Sequence, residues 1–231
     1  RCSRDWSSDV CSSDLEIIAA AGALILISIV TKVLGMLFLT FVTREFGASV
    51  DTDLFYLASV LPETITNIIL LGVISSSIIP IFIKIRENEG EKKFLESFNS
   101  TINISILVFG ILAILAAIFS RQLIPLAVSI AQKTDTLSPM QLDQVVWMMR
   151  ILLIPQVVLA ISAFFSTYLN IYQRFVVPQL APLFFNIGKI IGVLFFVKLL
   201  DGSIWGLVWG TVFGSLLHLL IQIPLMKHLQ F

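Results

Sequence analysis

The sequence predicts an all-α polytopic membrane protein with six transmembrane helices. Three observations carry this reading. Apolar residues make up 57% of the 231-residue chain and charged residues 13%, against about 45–50% and about 25% in soluble domains. Mean hydropathy is +0.97. Six apolar stretches recur along the chain, close to the length of ~20 residues that an α-helix needs to cross a bilayer. The 15 basic and 15 acidic residues cancel, so net charge makes no case for a nucleic-acid partner.

Residues 1–14 (RCSRDWSSDVCSSD) stand apart. They are polar, repetitive and without helical period. They lack the apolar core of a signal peptide and resemble translated sequencing-adapter sequence. This head is therefore set aside as non-native, and a six-helix lobe is expected over 15–231. Cys2 and Cys11 both lie in the head, so neither a disulfide nor a thiolate metal site is expected in the lobe.

The six spans are placed at 17–42, 54–83, 102–119, 145–169, 177–200 and 204–226. The first is long enough to cross with tilt. The second contains Pro62, Gly72 and Pro80, and the fourth contains Pro155. An internal proline removes a backbone hydrogen bond and bends the helix, a loss that neighbouring helices repair in a packed bundle. Between the third and fourth spans, LIPLAVSIA is amphipathic and suits a membrane interface. The sixth carries Gly206, Gly210 and Gly214, a stripe expected to pack closely against another helix.

Basic residues orient the bundle. Lys84, Arg86, Lys92, Lys93, Arg174 and Lys227 fall on one side, and Arg44, Arg121, Lys133 and Lys198 on the other. The positive-inside rule places the first set, and both termini, in the cytoplasm. The chain has no phosphate-binding glycine loop and no His-Glu zinc motif. No cofactor, metal or ATPase module is expected, and transport would draw on gradients or membrane potential.

The stretch 31–67 organises the rest. Lys32 lies ten residues before Val42 and Glu63 nine residues after Leu54, which places them about 15 and 14 Å from the outer ends of two antiparallel spans. Lys189 lies twelve residues into the fifth span, about 18 Å from its inner end. Three ionisable groups therefore share one level near the midplane. A charge there costs about 2.5–3.5 kcal/mol on insertion scales and belongs in a protein interior or a wet cavity. One reading is a central cavity in which Lys32 and Lys189 attract an anionic headgroup and Glu63 tunes them or takes a proton or cation. The other is a Lys32–Glu63 ion pair that only locks two helices together. At the outer turn, Arg44 and Asp53, with Glu45 and Asp51, read either as a solvated turn or as a gate. His218 is alone in the sixth span and reads as a packed or interfacial residue.

The chain resembles the MurJ/MviN lipid II flippase family. The resemblance is carried by V-L-G at Val33 to Gly35, R-x-F-G-A at Arg44 to Ala48, T-D-x-F at Thr52 to Phe55, Leu61-Pro62, and Pro80. The longest block is Leu169-Asn170-x-x-Gln173-Arg174-Phe175-x-x-Pro178-x-x-Ala181-Pro182-x-x-x-Asn186. Together these cover residues 17–231. The resemblance implies one lobe of a two-lobe flippase of the multidrug/oligosaccharidyl-lipid/polysaccharide exporter superfamily, with the partner lobe expected beyond residue 231. It implies alternating access, without an enzyme activity, at the bacterial inner membrane. The implied substrate is undecaprenyl-pyrophosphate-linked disaccharide-peptide, moved outward for peptidoglycan synthesis among membrane lipid and cell-wall synthesis enzymes. Lys32 falls where the family carries a cavity arginine. Phe38 and Thr66 stand where it carries further arginines, and Leu71 where it is acidic, so the expected cationic cavity is thin. Other polyprenyl-linked polysaccharides, a drug/cation antiport role, or a non-transporting scaffold are the competing functions. A membrane enzyme would need clustered catalytic groups at one face, which only Asp51 and Asp53 approach.

Overall fold

A computed structural model of the chain describes the backbone at residues 6–73, 78–130 and 137–228 and the side chains at 21–67, 78–129 and 137–227. Every regular element among the described residues is helical. Five helical segments there are long and apolar enough to cross a membrane: Ala21–Phe46, Glu91–Ile118, Pro139–Ile171, Val176–Leu199 and Trp205–Lys227. The expected second span is carried by two helices, and residues 74–77 between them lie outside the described residues.

Helix α1 is Trp6–Phe46. It runs back through residues 6–14, a stretch in which the sequence analysis saw no helical period. Once a long apolar helix has nucleated, each further residue adds a hydrogen bond at little cost. It stops at Gly47, whose φ of 63° suits a residue without a Cβ. Ser49 then caps α2 (Val50–Val73), its hydroxyl accepting from Thr52 N–H at 3.3 Å. Asp51 and Asp53 in the first turn of α2 oppose the positive end of its dipole. Thus the outer turn is only three residues long, and Arg44, Glu45, Asp51 and Asp53 sit on the helix ends beside it.

Helix α3 is Ile78–Glu89 and α4 is Glu91–Ile118, with Gly90 at φ 86° between them. α4 starts well before residue 102, where the third span was expected, because LESFNS still supports a helix on its amphipathic period. Helix α5, Ser120–Ile130, is the amphipathic segment. Helix α6, Pro139–Ile171, opens with a reciprocal capping box between Ser138 and Gln141 and with proline in its first turn. Helix α7 is Val176–Ile191. It continues through a π turn, Gly192–Phe196, into α8, Val197–Leu199. Helices α9 (Trp205–Leu220) and α10 (Ile223–His228) complete the fold.

α6 is the spine. Of its most apolar stretch 56% is buried, against 11% for α1 and α4. α1 and α4 instead present Leu26, Ile29, Ile104 and Leu107 outward, as lipid-facing helices do. Two apolar clusters hold the ends of the bundle. One gathers Phe38, Val42, Phe55, Met148, Leu152 and Leu207 near the α1–α2 turn. The other gathers Phe82, Phe94, Phe98, Phe164 and Tyr168 near the α6–α7 turn.

The glycine stripe finds its partner in α7. A Cβ added to Gly188 would lie 2.7 Å from the backbone nitrogen of Gly214. One added to Gly192 would lie 3.1 Å from the Gly206 carbonyl oxygen. The two helices therefore touch main chain to main chain.

Candidate functional site

Between the two apolar clusters runs a groove walled by α1, α2, α3, α6, α7 and α9. Three adjoining cavities of about 870, 670 and 500 Å³ make it up. The first two share Asn170, Pro178 and Pro182, and the second two share Glu63, Gln156 and Lys189. Its length thus extends from Arg86 and Gln173 at one mouth to Lys32 and Phe38 at the far end.

Lys32, Glu63 and Lys189 line the same cavity at the far end. Lys32 and Glu63 are exposed on it and Lys189 is half-buried. The Lys189 ammonium lies 4.4 Å from the Phe38 ring centre and 4.9 Å from that of Phe185, a cation held against two aromatic faces. Glu63 and Lys189 feel one another's charge across the groove. Among the described residues no ion pair joins Lys32 to Glu63. The helix-locking pair weighed in the sequence analysis is therefore not formed. Both groups line the open cavity.

The motif residues position this wall. Gly35 and Asn186 meet where α1 crosses α7: the Asn186 amide donates to the Thr31 carbonyl at 3.1 Å, and a Cβ on Gly35 would stand 3.9 Å from that amide nitrogen. Pro62 is buried in α2, where the Thr66 hydroxyl donates to its carbonyl at 3.0 Å. Pro178 fits the first turn of α7, where no N–H is needed. Pro182 lacks the N–H that would bond the Pro178 carbonyl, and both prolines line the groove. Arg174 is exposed in the α6–α7 turn, after Gln173 at φ 58°. Its N–H closes the end of α6 on the Leu169 carbonyl at 2.8 Å. Arg44 and Asp53 are both exposed beside the Gly47 turn, and among the described residues neither is in an ion pair. In that region Gln144 donates to Asp51 at 3.4 Å.

Two residues were missed or dismissed by sequence reasoning. Arg150, inside the fourth span, donates from Nε to the Ala117 carbonyl at 3.1 Å and to the Ser120 hydroxyl at 3.2 Å. Its guanidinium also lies 5.2 Å from the Trp147 ring centre. It ties the α4–α5 corner to the spine, away from the groove. His218 lines the middle cavity and hydrogen-bonds Ser162 at 2.7 Å. At the mouth, Arg86 pairs with Glu91 at 2.8 Å and stacks on Tyr172, whose hydroxyl donates to Glu91. Among the described residues no cluster of His, Cys, Asp and Glu could hold a metal ion.

A family model for lipid II flippase MurJ matches residues 42–231. The chain belongs to the MurJ family. It is a multi-pass membrane protein of a transporter family. The lipid II flippase MurJ of Burkholderia cenocepacia is 26% identical over 203 residues, covering 87% of this chain and 38% of that protein. A MurJ relative from Buchnera aphidicola subsp. Acyrthosiphon pisum is also 26% identical, over 87% of this chain and 39% of its own length. A solved lipid II flippase MurJ in an inward closed conformation shares the fold, with a TM-score of 0.67 at 22% identity over 88% of this chain and 41% of that one. The chain thus spans about two-fifths of the length of these MurJ proteins.

Proposed function

We propose that this chain forms one lobe of a flippase that carries a polyprenyl-pyrophosphate-linked disaccharide-peptide, lipid II, from the inner to the outer leaflet of the bacterial inner membrane. The observation that carries the reading is the meeting of Lys32, Glu63 and Lys189 on one cavity, at the far end of a groove that opens beside the α6–α7 turn. Family membership supplies the substrate class. Positive-inside reasoning supports a cytoplasmic α6–α7 mouth and cytoplasmic termini.

In this reading the headgroup enters the groove while the prenyl tail stays in lipid. Lys32 and Lys189 meet the diphosphate, and Glu63 holds Lys189 until the anion arrives. The lobe then rocks against a partner lobe, with Arg44 and Asp53 acting at the outer turn. No bond of the substrate is broken. The arrangement also answers the thin cationic cavity read from the sequence. Phe38 replaces an arginine expected from the family pattern, but its ring carries the Lys189 ammonium. The charge is supplied from α7 in place of α1.

The test is flipping by the protein as its gene encodes it, in proteoliposomes with labelled lipid II. K32A and K189A are expected to abolish flipping at unchanged expression. Full activity of both variants sinks the assignment.

A further inference from the structure

We propose that His218 is a neutral hydrogen-bond donor in the groove, held by Ser162 and Gln222 so that its Nε2–H meets an oxygen acceptor on the transported headgroup. The proposal rests on the flippase reading above and adds a binding residue to it.

Gln222 and Ser162 are fully buried between α6 and the end of α9. The Gln222 amide lies 3.4 Å from the His218 carbonyl oxygen, which can only accept. The amide nitrogen therefore faces it. The same nitrogen lies 2.7 Å from Ser162 Oγ and donates there as well. On its other side, Gln222 Oε1 accepts from the Ser166 hydroxyl at 3.3 Å. The reversed amide would set two acceptor oxygens 3.4 Å apart, so the network favours this orientation.

Ser162 has one proton left to give. Its acceptors are His218 Nδ1 at 2.7 Å and the His218 carbonyl at 3.5 Å. The shorter contact takes it, because the longer one lies at the limit of a hydrogen bond. His218 Nδ1 is then an acceptor, and the ring proton sits on Nε2. Nε2 has no partner among the described residues, and the ring lines the groove with Lys189 and Asn170. A donor on a ligand-sized cavity, with its tautomer set from behind, suits a phosphoryl or amide-carbonyl oxygen. Ser162 and Gln222 are positioning residues that act through the imidazole.

In the protein as its gene encodes it, ¹⁵N-histidine NMR in lipid nanodiscs reads the tautomer directly, the His218 signals being those lost in H218Q. The expected spectrum has an unprotonated Nδ1 and a protonated Nε2, and S162A is expected to mix the two tautomers. A protonated Nδ1 in the parent overturns the proposal. Binding is then measured with undecaprenyl pyrophosphate and with lipid II. H218A is expected to weaken binding about tenfold, the worth of one well-made hydrogen bond to a charged or buried acceptor. H218Q, which places an amide nitrogen near the Nε2 position, is expected to restore most of it. Weakening toward both ligands assigns the contact to a phosphoryl oxygen, and weakening toward lipid II alone assigns it to a sugar or peptide carbonyl. Parental binding of both ligands by H218A overturns the proposal. If K32A and K189M also bind like the parent, the headgroup reading itself falls.

Discussion

Lys189 concentrates the chemistry of the site in one side chain. Its ammonium lies against two rings and shares its cavity with Glu63. K189M should therefore lower affinity for undecaprenyl pyrophosphate by about tenfold or more, since a hydrogen bond to a charged group contributes about 1.5–3 kcal/mol. Isothermal titration in detergent would measure this. F38L removes one of the two rings and should cost a few-fold, in line with a cation–π contact of about 0.5–2 kcal/mol. Arg150 makes the opposite case. R150Q removes the guanidinium's bonds to the Ala117 carbonyl and the Ser120 hydroxyl and leaves only the bond between those two groups, so α6 loses its polar tie to the α4–α5 corner; this should cost about 1–3 kcal/mol of stability and leave ligand affinity unchanged. A lower melting temperature with an unaltered binding isotherm would bear this out. Lys32, Glu63 and Lys189 were legible in the sequence because a charge inside an apolar run stands out. Arg150, inside the fourth span, gave the same signal and was passed over; its partners were not legible, since they come from residues 117 and 120 and no period connects them. His218 was read as an isolated histidine because Ser162 lies 56 residues away.

Among the elements, the α7–α9 contact is the most exacting. G188A and G210A drive a Cβ into the facing main chain, and backbone cannot yield as a side-chain tip can. Each is expected to abolish the folded bundle or cut its yield sharply, judged by size-exclusion profile. G110A on α4 is the control, because nothing lies within 4 Å of the added Cβ. It should be neutral or gain up to about 1 kcal/mol from helix propensity. The stripe at 206, 210 and 214 was visible as a pattern. Its partners at Gly188 and Gly192 were not, because periodicity marks a face without saying which helix covers it. The helix ends were partly legible. Gly47 and the Ser138–Gln141 box stop and start helices by local chemistry. The beginning of α1 was not, since it depends on helix carried over from the apolar run.

Across the whole molecule, the groove divides wet residues from lipid-facing ones. With Cys2 and Cys11 replaced by serine, a cysteine at Asn170 should react with a membrane-impermeant maleimide applied from the cytoplasmic side. Lipid II should slow that reaction. A cysteine at Leu107, exposed on α4, should stay unlabelled because it faces lipid. Labelling of both, or of neither, would contradict the groove as drawn. The closeness of α7 to α9 has a mechanical meaning as well. Helices separated by side chains can slide as rotamers re-sort, whereas two touching backbones have no such layer between them. The pair moves as a single plank. Any widening or narrowing of the passage must then come from the helices that face the plank, and α1 takes part only as far as its tie, the Asn186 amide on the Thr31 carbonyl, allows.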